Sequence, residues 1–171
     1  MTSAGVGPIV NINDAPAGVP TITGLVQEDQ TLTADTSTIS DADGLGAFSY
    51  QWLRNGVAIA GETAVTYTLV DADVGAQISV QVSYTDSHGM NEGPLVSAQT
   101  GLVLNVNDAP AGAVLIDNMS PMQGDTLTAS NTLTDADGLS SAISYQWFRD
   151  GVAIAGANGA TYTTVAADTG A

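Results

Sequence analysis

The chain has 171 residues, 44% of them hydrophobic and 12% charged, and 18 acids against 2 bases give a net charge of −16. The hydrophobic share argues against disorder, and the charge argues against nucleic-acid or anionic-membrane binding, because phosphate surfaces would repel the chain. Without cysteine there is no disulfide framework, and no apolar run approaches the roughly 18 residues of a membrane span, so no membrane insertion is expected.

The opening "MTSAGVGPIV" lacks the charged and apolar regions of a signal peptide, so export is expected to be directed from outside this segment. Residues 1–12 read as the last strand of a preceding repeat, since "SAGVGPIVNIND" resembles "SAQTGLVLNVND" farther on. "VPTITGL" and "TLTADT" follow as the first two strands of a new unit. In "FSYQWLRNG", Phe48, Tyr50 and Trp52 share one face, and Asn55-Gly56 is a hairpin turn signal. "VAIAG" and "VTYTLV" are two short strands. "QISVQVSYTD" alternates strictly, with Ile78, Val80, Val82 and Tyr84 on the buried face. The long "PLVSAQTGLVLNV" makes the seventh strand.

The pattern then repeats. "NINDAPAG" at Asn11 recurs as "NVNDAPAG" at Asn105, and "SYQWLRNGVAIAG" at Ser49 recurs as "SYQWFRDGVAIAG" at Ser144. Residues 13–106 are therefore a complete unit, and residues 107–171 are an incomplete one lacking its last two strands. Seven short strands with a Trp on the third predict an all-β fold of tandem immunoglobulin-like β-sandwiches, seven strands per repeat.

The order of "EDQTLT", "DADG", "YQW", "GVAIAG", "TYTL", "ADVGAQISVQVSYTD" and "NVNDAP" resembles the tandem immunoglobulin-like and cadherin-like repeats of large bacterial secreted proteins, RTX-type adhesins among them. The resemblance covers nearly the whole chain. It implies an extracellular or bacterial cell-surface location and a role as a structural spacer or adhesion repeat. The implied partners are neighbouring repeats of the same polypeptide, with self-assembly into fibres as an extension.

Strand alternation gathers the acids. The loops after the second, fourth and sixth strands belong beside the incoming linker, so Asp41 and Asp43 are expected near Asn11, Asn13 and Asp14, with Asp86 and Glu92 of the loop "DSHGMNEG" at the same end. By the same reasoning Asp135 and Asp137 belong beside Asn105, Asn107 and Asp108, with Glu28, Asp71 and Asp73 approaching from the preceding unit. The grouping is similar to cadherins, in which an acid near the first strand, an Asn-Asp linker and an Asp-x-Asp loop hold calcium between domains. This chain departs from that pattern in having Asn105 where Asp is usual and in lacking the Asp-Arg-Glu motif, which limits the expectation to one ion per junction. Two carboxylates about 5 Å apart at an effective dielectric near 20 repel by roughly 3 kcal/mol, so such a cluster either takes up a cation or splays into water.

The plainer reading of "DADG" is a solvated turn, since Asp and Gly are common turn residues. An EF-hand is excluded because its twelfth position, counted from Asp41, is Trp52 rather than Glu. Trp52 and Trp147 read as packing residues rather than sugar platforms, and the alternating Thr as an ordinary outer strand face. "NMS" at Asn118 is a formal glycosylation sequon, read as accidental. The lone His88 has no Cys or Lys to work with, so no enzyme is expected. The competing reading is a ligand-binding adhesion domain, which would recognise carbohydrate or protein through the second–third and sixth–seventh strand loops.

Overall fold

The computed structural model describes residues 5–170. Nearly all regular structure is β, and contacts divide the chain into a first unit ending at Val106 and a second beginning at Asn107.

In the first unit, β1 (Thr21–Thr23), β2 (Thr31–Asp35) and β5 (Thr66–Thr68) form one antiparallel sheet in the order β1-β2-β5. The second sheet contains β3 (Ser49–Arg54), β4 (Val57–Ala58), β6 (Ile78–Thr85) and β7 (Asn91–Val96) in the order β4-β3-β6-β7. Period-two alternation turns Leu32, Ala34 and Tyr67 of one sheet toward Trp52, Ile78, Val80, Val82 and Tyr84 of the other, making a single sandwich core. Trp52 is fully buried opposite Val80 in the β3–β6 register, 5.7 Å from the Tyr67 ring, and its indole N–H donates to the Ala64 carbonyl at 2.9 Å. The outward Thr31 and Thr68 hydroxyls meet at 3.0 Å across β2 and β5, an ordinary cross-strand pair.

The seventh strand differs from its sequence reading in two ways. It begins at Asn91, so Glu92 is buried on β7 opposite Tyr84 instead of lying in the loop. It also ends at Val96, after which Thr100 Oγ1 accepts the Ile78 N–H at 3.0 Å and the chain crosses toward the other sheet. There Leu104 N–H donates to Val26 O (3.2 Å), Glu28 N–H to Leu104 O (2.9 Å), Gly75 N–H to Val103 O (3.0 Å) and Val103 N–H to Ala76 O (2.9 Å). Val103 is buried by this crossing.

The described residues 5–12 form no strand, and Val6, Ile9, Val10 and Ile12 are 84–95% exposed. Residues 1–4, which also belong to the expected terminal strand, lie outside the described residues.

Among the described residues, the second unit repeats several elements of the first. One sheet, β12-β9-β8, contains β8 (Val114–Ile116), β9 (Thr126–Asn131) and β12 (Thr161–Thr163), and β10 (Phe148–Arg149) pairs with β11 (Val152–Ala153). The counterpart of β3 shrinks to two residues because, among the described residues, no strand plays the part of β6, to which all six residues of β3 are registered. Trp147 nonetheless keeps its repeat contacts: its indole N–H donates to Gly159 O at 2.9 Å and its ring lies 5.5 Å from Tyr162.

Each unit also contains a four-residue polar lock that the sequence reading missed. Asp73, expected among the metal ligands, is fully buried and occupied: Oδ1 accepts from Arg54 Nε at 2.6 Å, and Oδ2 accepts from Tyr67 OH at 2.7 Å and Val70 N–H at 2.9 Å. Arg149, Asp168, Tyr162 and Val165 repeat it, with distances of 2.6, 2.8 and 2.6 Å. Burial and the Asp73 carboxylate push the Tyr67 phenol up to about 12, and its hydrogen bond to Asp73 raises Arg54. Replacing Asp73 by Ala strands all three donors and should cost about 3 kcal/mol in urea denaturation. Because the phenol pKa is higher folded than unfolded, the unfolded chain loses the proton first, and this contribution, complete below about pH 10, should fall as pH rises toward 12. Stability measured across that window should fall less steeply in Tyr67→Phe than in the parent.

Candidate functional site: an acidic clamp at the start of each repeat

The linker of each unit is tied back onto the loop that follows the second strand. Ala17 and Ser40 exchange backbone hydrogen bonds at 2.8 and 2.9 Å, and Ala111 and Thr134 do the same at 2.8 and 2.9 Å. The glycine of each "APAG" makes this approach feasible. Gly18 has φ +85°, and an added Cβ would lie 2.1 Å from the Thr38 carbonyl oxygen; at Gly112 the values are φ +110° and 2.4 Å from Thr132.

On this bridge the Asp-x-Asp loop closes over the linker. Asp41 Oδ1 accepts the Asp43 N–H at 2.8 Å, an Asx turn that aims Asp43 so that its Oδ2 accepts the Asp14 N–H at 2.6 Å. In the second unit Asp135 accepts the Asp137 N–H at 3.0 Å, and Asp137 Oδ2 accepts the Asp108 N–H at 2.7 Å. The expected meeting of Asp41 and Asp43 with Asp14, and of Asp135 and Asp137 with Asp108, is thus a pair of equivalent clamps.

The first unit adds more acid to this end. Glu92 Oε1 accepts from Asn13 Nδ2 at 2.7 Å, bringing the linker onto β7. Tyr84 OH donates to the other oxygen of Asp41, and burial first, then Asp41, hold its phenol well above the ordinary range. Asp86 Oδ1 accepts the N–H groups of His88 and Met90 at 2.9 and 2.8 Å, closing the β6–β7 turn, while its Oδ2 is buried with no hydrogen-bond partner. His88 Nδ1 lies 3.7 Å from Asp43 Oδ1 with half its side chain exposed. Asp43, Asp86 and Glu92 are all buried, and Arg54, the unit's only arginine, is engaged by Asp73.

Asn11 and Asn105 are exposed, and Asn107 uses its side-chain amide to donate to Asp108 O at 2.8 Å. Glu28 is buried near the unit's exit, where its Oε2 accepts the Val106 N–H at 3.0 Å, and Asp71 is exposed. The sequence signal for Tyr84 was its place in an apolar alternation, which gave no hint that its hydroxyl reaches Asp41.

The donor set suits a hard cation: carboxylates, an Asn side-chain oxygen and an orphaned buried oxygen on Asp86. In the first unit, among the described residues, no three of Asp14, Asp41, Asp43, Asp86 and Glu92 bring their oxygens within 4.8 Å of one another, so one ion there would also draw on water or backbone carbonyls. No family model matches the chain, and no curated protein matches it.

Asp43→Ala removes the acceptor of the Asp14 N–H and should cost about 1–2 kcal/mol. Hydrogen exchange should show the Asp14 amide deprotected while the β3 and β6 amides stay protected.

Proposed function

We propose that the chain is a structural repeat of an extracellular adhesin or filament, and that calcium at the acidic start of each repeat stiffens its linker. One observation carries the reading: the same linker clamp, Asp43 on Asp14 and Asp137 on Asp108, stands at the same place in both units. A clamp on a linker is a device for setting orientation, and repetition extends reach additively. In the first unit Asp86 Oδ2 and one neighbouring carboxylate would hold the ion, with water or backbone carbonyls completing its shell, and the ion would supply the positive charge that no Lys or free Arg provides there. Secretion and cell-surface placement come with the resemblance to adhesin repeats. No helix among the described residues is long and apolar enough to cross a membrane.

For an extracellular module with Kd of about 0.1–1 mM, calcium at about 10 mM should stabilise the first unit by roughly 1.5–3 kcal/mol. Calorimetric titration should give saturable heat, and Asp86→Asn, which keeps the His88 and Met90 hydrogen bonds, should abolish both heat and stabilisation. An identical melt in calcium and in chelator would sink the calcium reading.

A further inference from the structure

The sequence contains two Asn-Gly pairs, Asn55-Gly56 and Asn158-Gly159. This dipeptide is self-reactive, because the glycine nitrogen can close a five-membered ring on the asparagine Cγ and no glycine side chain hinders the attack. The fold treats the two pairs differently.

Asn55 is pinned. Its N–H donates to Gln77 O at 2.8 Å and its side-chain Oδ1 accepts the Gln77 N–H at 2.9 Å, which fastens the β3–β4 turn to the start of β6. Positive φ at both Asn55 (+48°) and Gly56 (+80°) matches the turn to the twist of the β3–β4 hairpin. To meet the Gly56 nitrogen, the Asn55 side chain must give up Gln77 and the turn must be reshaped.

Asn158 has no such restraint. It is exposed in the loop between β11 and β12, and among the described residues its side chain has no hydrogen bond. The peptide that must rotate is also free, since neither the Asn158 carbonyl nor the Gly159 N–H has a hydrogen-bond partner among the described residues. The loop is equally open in the first unit, where Thr63 and Ala64 are exposed at the places of Asn158 and Gly159.

We propose that Asn158 is a site of spontaneous deamidation and that Asn55 is spared by its bonds to Gln77. The Gly159 nitrogen loses its proton to hydroxide and bonds to Asn158 Cγ, the Cγ–Nδ2 bond breaks, and ammonia leaves. Water then opens the succinimide at either carbonyl, giving Asp or an isoaspartyl link in which the main chain runs through Cγ. Either product adds a negative charge to a chain already at −16. The isoaspartyl product also inserts a carbon between two acceptors that grip Trp147, whose N–H donates to Ala157 O and whose indole N–H donates to Gly159 O, each at 2.9 Å. Next along the chain, Ala160 O accepts the Ala129 N–H at 2.7 Å. Change at an exposed loop is thereby transmitted to the cluster of Trp147, Leu127 and Ala129.

Peptide mapping by mass spectrometry of the 171-residue chain, aged in mildly alkaline buffer with chelator, tests the proposal independently of calcium. In the folded chain Asn158 should convert at least about tenfold faster than Asn55, the margin expected for the hydrogen bonds Asn55 must break. In urea the two rates should converge, because the hold of Gln77 is gone. Gly159→Ala should lose the conversion at Asn158 with an unchanged melt, since an added Cβ meets nothing nearer than 3.6 Å and Ala64 occupies this place in the first unit. The Ala129 amide should exchange faster in the isoaspartyl fraction, and unchanged exchange there would overturn the transmission to the core. An Asn158 that persists intact, equal rates in the folded chain, or an undiminished preference in urea overturns the proposal itself.

Discussion

Everything in the first unit hangs on the pairing of β3 with β6. That six-residue register places Trp52 against Val80 and Tyr50 against Val82, and so presents one continuous apolar face to β2 and β5. A fully buried Trp contributes on the order of 3–5 kcal/mol, judged by what its truncation costs, a large share of the stability of a domain this size. In the second unit, where no such partner strand stands among the described residues, β10 has only two residues and Trp147 is 8% exposed against 0% for Trp52. The motif "SYQW" is identical in both units, so the difference belongs to the partner and not to local propensity.

Acidic side chains do two distinct jobs around this core. Asp73 and Asp168 are saturated by Arg, Tyr and backbone N–H donors, and each ties a 3-10 turn to its sheet. Asp43 and Asp137 instead reach outward to the linker backbone. The distinction follows from donors within reach: the unit's arginine, at the end of β3, stands beside the turn, whereas the clamp meets only backbone amides, Asn13, Tyr84 and His88. Carboxylates with so few cationic partners are where an external cation has most to gain.

The last segment of the first unit seals the edge of its core. Val103 and Leu104 bridge the two sheets by bonding to residues 26–28 and to the turn beyond Asp73, close to where Glu28 accepts the Val106 N–H.

Much of this was legible without coordinates. Period two in "QISVQVSYTD", turn signals at Asn55-Gly56 and the repeat spacing determined an all-β sandwich with Trp52 inside, because alternation and burial are local properties of a strand. They also brought Asp41 and Asp43 to the linker. Tertiary structure alone decided that Asp73 is locked by Arg54 and Tyr67, that Glu92 faces Tyr84 on β7, and that the long seventh strand breaks after Val96 to cross between sheets. Those outcomes depend on which donors lie opposite a side chain across the sandwich, and residues far apart in sequence supply them.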